Sequence, residues 1–244
     1  MPQSKRNATA EPDNDDGLVY SSPAIHERRR RILEETRKMI AEHGLAGFSM
    51  DEICKRAGVA KRTLYNAYQT KERMIALAIH EYFEKYVSHI PYTTPIGSLQ
   101  RNVERIVFVI QRNRQLRNYI SALMSIYFSP DADSDIWETM HSMAVQANLQ
   151  WITALKAKKQ IQPWIDVNCL ADDIVRTEYA IINDWCRGRI EDEQIAYHQV
   201  RACLTIAAGA TRGAARKGIE EMLQRYHSDG MPLPSVQIPR NKKG

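Results

Sequence analysis

Apolar residues recur three and four positions apart along most of the chain. Ile32, Leu33, Thr36, Met39 and Ile40 fall on one helical face, as do Leu116, Tyr119, Ile120, Leu123, Met124 and Tyr127, and again Trp137, Met140, Ala144, Ala147, Trp151 and Leu155. This period predicts amphipathic helices, each burying one stripe. One run departs from it. Val103 to Ile110, V-E-R-I-V-F-V-I, is rich in β-branched residues and could form a short strand, but the chain holds no second such run to pair with it. The expectation is therefore an all-α protein, without the fixed-period repeat of a solenoid.

Prolines punctuate the pattern. Inside the body they stand only at Pro91, Pro95, Pro130 and Pro163, positions that read as segment breaks. Residues 1–23 carry almost no large apolar side chains and read as a disordered tail, because such a segment buries too little to offset its ordering entropy. Residues 229–244 hold three further prolines and end in a small basic group, which reads as a second, flexible tail.

Residues 25–90 read as four helices in quick succession. The first runs from about Ile25 to His43 and ends at Gly44, a residue suited to a left-handed cap. Ser49-Met50-Asp51-Glu52 then has the form of a capping box, in which Ser49 caps a second helix and Glu52 reaches back to it. That helix extends only to Ala57, since Gly58 permits a tight turn and Val59 supplies an apolar plug. A third helix begins near Lys61 and ends by Tyr68 or Gln69, and Thr70 caps a fourth that continues until Pro91.

Two short helices joined by a glycine-centred turn form a helix-turn-helix, whose second helix enters the DNA major groove. Lys61 and Arg62 occupy the first turn of that helix, where the dipole already presents positive charge, so both are misplaced for stability and suited to an anion. Leu64 and Tyr68 should face inward, leaving Lys61, Arg62, Thr63, Tyr65 and Asn66 to form an outward, donor-rich surface. Lys71, opening the fourth helix, adds a phosphate-seeking charge. The row Arg28 to Arg31 opens the first helix, and Arg28 and Arg29 are its candidates for phosphate contact.

The string from Gly47 to Ile75, G-F-S-M-D-E-I-C-K-R-A-G-V-A-K-R-T-L-Y-N-A-Y-Q-T-K-E-R-M-I, resembles the DNA-binding domain of the TetR family of bacterial transcriptional regulators. The resemblance covers residues 25–90. It implies an amino-terminal three-helix head joined by the fourth helix to a larger helical domain, at residues 91–228, that binds a small-molecule effector and forms a homodimer through its last two long helices. It further implies that Lys61, Arg62, Thr63 and Asn66 meet bases or nearby backbone of a palindromic double-stranded operator, and that Tyr65 and Lys71 grip phosphates. Two positions depart from the family pattern. Ala60 stands where a capping serine is frequent, a loss of about 1 kcal/mol for the helix, and Arg62 stands where glycine is frequent.

Two features of the carboxy-terminal half agree with the resemblance. Leu170 to Gly188 ends in D-W-C-R-G, similar to the close of the family's penultimate helix, and Gln194 to Gly213 is rich in small residues that let another helix approach. Met124, Tyr127, Phe128, Trp137, Met140, Trp151 and Tyr179 supply aromatic and thioether faces suited to a greasy effector, although ordinary core packing explains any one of them. Arg112, Arg114 and Arg117 are candidates to meet an anionic ligand.

Composition narrows the classes. Apolar residues make up 43% and charged residues 26%, the proportions of a globular chain, and no apolar run approaches the ~20 residues that span a bilayer. No membrane partner is expected. The amino terminus offers no signal-peptide core, and Cys54, Cys169, Cys186 and Cys203 are too sparse and too scattered for a disulfide framework, so the expectation is reduced thiols in a cytoplasmic protein. No metal-ligand spacing, cofactor motif or local catalytic arrangement stands out, which argues against an enzyme. The competing reading is a helical ligand-binding module or enzyme whose helix-turn-helix is vestigial. Charge placement favours the regulator: residues 24–73 hold 12 Lys and Arg against 7 Asp and Glu, an excess equal to the whole chain's net +5.

Overall fold

The computed structural model describes residues 23–231. The two tails expected from the sequence lie almost wholly outside those residues. Ten helices make up the described chain: α1 (Pro23–His43), α2 (Met50–Ala57), α3 (Lys61–Tyr68), α4 (Lys71–Ser88), α5 (Leu99–Gln115), α6 (Arg117–Tyr127), α7 (Ser134–Ala157), α8 (Val167–Cys186), α9 (Ile195–Ala210) and α10 (Gly213–Asp229). No strand occurs among the described residues, and the only β contact there is an isolated antiparallel bridge between Ile161 and Thr211. The strand-like run Val103 to Ile110 lies within α5, where Val103, Ile106, Val107 and Ile110 are buried.

Local chemistry accounts for most helix ends. Pro23, assigned to the tail by its composition, instead opens α1, where its fixed φ and missing N–H cost nothing. Gly44 and Gly58 both adopt φ of 63°, the left-handed conformation that closes a helix. Side chains cap α4 (Thr70), α5 (Ser98), α7 (Asp133) and α8 (Asp166), each accepting from backbone N–H groups of the first turn. The fourth helix stops at Ser88 rather than running to Pro91, because the residue before a proline is pushed out of the helical region and the last turn unwinds.

The capping box at Ser49 is only half made. Ser49 Oγ accepts from Glu52 N at 3.3 Å, but the Glu52 carboxylate does not return to the Ser49 amide. It accepts instead from Arg56 Nε at 3.1 Å, one helical turn on, and the Ser49 amide donates to Met39 Sδ. A charged partner at i+4 outcompetes a neutral amide for the carboxylate.

Helices α1 to α3 form a small head against the start of α4, where Ile32, Ile40, Ile53, Leu64 and Ile75 are almost wholly enclosed. The head meets the body along α1, which packs against both α4 and α6. Arg37 of α1 sits at that joint, with its guanidinium carbon 4.8 Å from the ring centre of Tyr82 in α4 and 5.9 Å from that of buried Tyr119 in α6. In the body α7 packs against α4 and α8, and α9 is sandwiched by α5, α8 and α10. The small-residue segment is therefore not the end of the fold. Ala207 and Ala210 are buried within the chain itself, and Gly213 opens a further helix whose Ile219 and Met222 are buried.

Candidate nucleic-acid interface

The reading head is built from inside out. Ile53 and Ala57 of α2 and Leu64 and Tyr68 of α3 are buried, which fixes both short helices to α1 and α4. Burial pushes the Tyr68 phenol up to about 12, so the ring stays neutral. With those four inward, α3 presents Lys61, Arg62, Tyr65 and Asn66 to solvent, and Thr63 is half-buried. Ala60 adopts the extended conformation of a cap but supplies no side-chain bond, and the first turn of α3 contains no acidic residue. Uncapped amides and two cations thus open the helix together, an arrangement that complements phosphate.

The cations differ in how freely they are held. Lys61 Nζ lies 2.8 Å from Asp51 Oδ1, and this pairing, together with the hydrogen bond it carries, raises the Lys61 ammonium above its ordinary value. Arg62 has no ion-pair partner among the described residues. Lys71, half-exposed, has its Nζ 3.6 Å from Glu72. In the arginine row at the start of α1, Arg29 donates through Nε to Glu81 of α4 at 2.9 Å, and Arg30 is shared between Glu27 and Glu34. Arg28 is exposed, and among the described residues only Arg29 of these two arginines forms an ion pair.

Neither the turn after α3 nor the anchoring of Lys61 was legible beforehand. Gln69 adopts φ 66° and ψ −56°, and the Thr70 amide donates to Tyr68 O at 2.7 Å, a γ-turn with positive φ at a residue that is not glycine. Glutamine gives no sequence signal for this conformation.

The effector candidates separate into three groups. Met124, Met140 and Tyr179 line an internal cavity of about 120 Å³ walled also by Phe83 of α4 and Ile106 of α5. Tyr127, Phe128 and Trp137 instead form an aromatic cluster around His141: Trp137 stacks on the His141 ring at 4.6 Å, and Tyr127 stacks on Trp137 at 5.4 Å. His141 Nδ1 meets Tyr127 Oη at 2.8 Å and its Nε2 meets Asp172 Oδ1 at 3.1 Å. Trp151 is buried away from the cavity lining. The three arginines considered for an anionic ligand are taken by the protein: Arg112 donates to Tyr82 Oη, Arg114 pairs with Asp192 and Glu193, and Arg117 binds Asp192 and the Trp185 carbonyl.

Sequence reasoning missed the polar floor of the cavity. Arg105 of α5 donates through Nη2 to Asn148 Oδ1 at 2.7 Å and stands 3.6 Å from Glu178 Oε1 of α8, while Gln199 of α9 donates to the Glu178 carbonyl. Burial pushes the Glu178 carboxyl up, and the Arg105 guanidinium pulls in the opposite direction. Among the described residues no cluster of three or more His, Cys, Asp or Glu is disposed to hold a metal ion.

An exposed, basic second helix of a helix-turn-helix on an all-α body defines the class as a two-domain helix-turn-helix protein. Residues 32–78 match the family model described as bacterial regulatory proteins, tetR family. The chain is similar to the HTH-type transcriptional repressor KstR of Rhodococcus jostii (strain RHA1), 31% identical over 96 residues that make up 38% of this chain and 45% of that one. It is also similar to KstR of Mycobacterium tuberculosis (strain ATCC 25618 / H37Rv), 28% identical over 134 residues, 51% of this chain and 61% of the other. The chain thus spans about half the length of the curated relatives it matches. Among solved structures, a TetR-family transcriptional regulator from Rhodococcus sp. superposes with a TM-score of 0.62 at 19% identity, covering 74% of this chain and 98% of that one. Salmonella enterica GusR superposes with a TM-score of 0.56 at 20% identity, covering 76% and 97%. Both share the fold. No helix among the described residues is long and apolar enough to cross a membrane.

Proposed function

We propose that this protein is a DNA-binding transcriptional regulator, a homodimeric repressor that binds a palindromic operator and is released by a small-molecule effector. The observation that carries the reading is the start of α3, where uncapped amides and the exposed side chains of Lys61, Arg62, Tyr65 and Asn66 face outward from a buried anchor of Leu64 and Tyr68. Lys61, Arg62, Thr63 and Asn66 meet base edges or adjoining backbone, Tyr65 and Lys71 hold phosphates, and Arg28 reaches the backbone beside the groove. Arg29 joins it only by leaving Glu81.

Two copies, paired through the last two long helices, place their reading helices in successive major grooves about 34 Å apart. The cavity gives the effector a route to DNA, because Phe83 in its wall belongs to α4, the helix that Lys71 opens. An effector that binds one setting of α4 better than another shifts the population between matched and mismatched heads. The protein acts where bacterial DNA is, in the cytoplasm, and performs no catalysis.

Electrophoretic retardation of double-stranded DNA, selected from random sequence by this protein and repeated across a salt series, tests this reading. A discrete complex whose affinity falls steeply with salt is expected, with a dimer in sedimentation. A 28.1 kDa monomer that fails to retard DNA at low salt overturns it.

A further inference from the structure

The cavity between α4 and α9 has an apolar wall and an unfinished polar floor. Ile79 and Phe83 of α4, Met124 of α6 and Met140 of α7 supply the wall. Arg105, Glu178 and Gln199 line the opposite side, and these three residues are 9%, 9% and 1% exposed. Among the described residues, Arg105 Nε, Glu178 Oε1 and Gln199 Oε1 have no hydrogen-bond partner. Buried polar atoms without partners cost stability, so a cluster of one donor and two acceptors at a cavity asks for a ligand that completes it.

The missing partner must accept once and donate at least once. The charge of the floor says more. Arg105 and Glu178 are of opposite sign with Nη2 and Oε1 3.6 Å apart, and the same Nη2 is already bonded to Asn102 and Asn148. A carboxylate ligand would bring a second anion beside Glu178 with no further cation to meet it, and an ammonium would face Arg105. A cavity of about 120 Å³ is close to the ~150 Å³ that accepts a benzene ring in an engineered core.

The geometry points to an effector that is neutral, mostly apolar and about one ring in size, with an alcohol, phenol or primary amide at the end that meets Arg105 Nε, Glu178 Oε1 and Gln199 Oε1. The inference rests on the regulator reading for its consequence on DNA, and on the cavity alone for binding.

Calorimetric titration of the full chain with benzamide, benzyl alcohol, benzoate and toluene tests it without any variant. Benzamide or benzyl alcohol should bind at least about tenfold tighter than both toluene and benzoate. Benzoate or toluene matching them overturns the assignment, as does binding of none of the four. In Gln199→Met the advantage of benzamide over toluene should shrink while toluene still binds. In Glu178→Gln, which leaves Arg105 without its counter-ion, benzoate should bind more tightly than it does to the unaltered chain. DNA retardation is read in parallel. Release of the complex by benzamide supports both readings, whereas binding without release supports the ligand class and removes the effector step from the proposed function.

Discussion

Lys61 Nζ, at the first position of α3, is held 2.8 Å from Asp51 Oδ1 in the first turn of α2. The carboxylate sits well with the dipole of its own helix and the ammonium poorly with that of the next, so the pair spans the turn at the surface proposed to face DNA. Their side chains are 66% and 57% exposed, which keeps the bridge weak enough for a phosphate to displace the carboxylate. Asp51→Asn removes the competitor and one negative charge from the interface. DNA affinity should rise several-fold at low salt, and the salt dependence should steepen by up to about one unit. Weaker retardation by this variant would show that Asp51 positions Lys61 for DNA rather than withholding it.

Arg62 and Lys71 should fail in different ways. Arg62 adds positive charge to the uncapped start of α3, so Arg62→Asp relieves an unfavourable dipole interaction while reversing the charge offered to DNA. Retardation should be lost with the thermal midpoint unchanged or higher, and a variant that unfolds would place Arg62 in the fold rather than the groove. Lys71→Ala should weaken operator and scrambled DNA alike and flatten the salt slope by about one unit. Loss confined to one base position would contradict its phosphate role.

What the sequence made legible follows from how far each cause reaches along the chain. Gly44, Gly58, Ser49 and Thr70 set helix ends through bonds to residues three or four positions away, and the inward pair Leu64 and Tyr68 follows from one helical turn. The same local logic fails where two partners compete. Glu52 could have completed a capping box, but Arg56 lies one turn on and takes its carboxylate. Arg29 looked free for phosphate because Glu81 is 52 residues away, and the Arg105–Asn148 contact spans 43 residues. A charge at position 105 between buried apolar neighbours was a visible anomaly, yet only the tertiary fold supplies Glu178 and Gln199 to explain it.

Gln69 carries the turn between α3 and α4. Tyr68 is anchored in the core on one side, and Thr70 Oγ accepts from Arg73 N at 3.1 Å on the other, so Gln69 alone is left to turn the chain between the two anchored residues. The left-handed φ of 66° is costly for a side chain, in the range of about 1–3 kcal/mol. Glycine adopts it freely, although Gln69→Gly loses the bond from Arg73 Nη1 to Gln69 Oε1. Urea unfolding should find Gln69→Gly near neutral or stabilised by up to about 1 kcal/mol, and Gln69→Val destabilised by about 1–2 kcal/mol, because a β-branched residue tolerates positive φ least. Equal stability of the two variants would remove the strain assigned to this turn.

Cys203 of α9 links thiol chemistry to alkaline stability. It is 1% exposed, and burial pushes its thiol up to about 12 from 9.0, with the Asn102 amide 3.7 Å from its sulfur. Burial also pushes Cys186 up to about 11. A thiol held neutral in the fold ionises first in the unfolded chain, which therefore binds fewer protons above pH 9 and gains on the native state as pH rises. Cys203 consequently costs no stability below about pH 9 and an increasing amount from there towards pH 12. The thermal midpoint should fall through that interval, with a smaller fall in Cys203→Ala once its lower starting stability is subtracted. At pH 8 a thiol-specific disulfide reagent should label exposed Cys169 first, even though the Asp166 carboxylate pushes that thiol up, and spare Cys203 until denaturant opens the fold, since reaction requires an accessible thiolate. Prompt labelling of Cys203 in the native protein would mean that α9 separates from α5 and α8 far more readily than its packing between them allows.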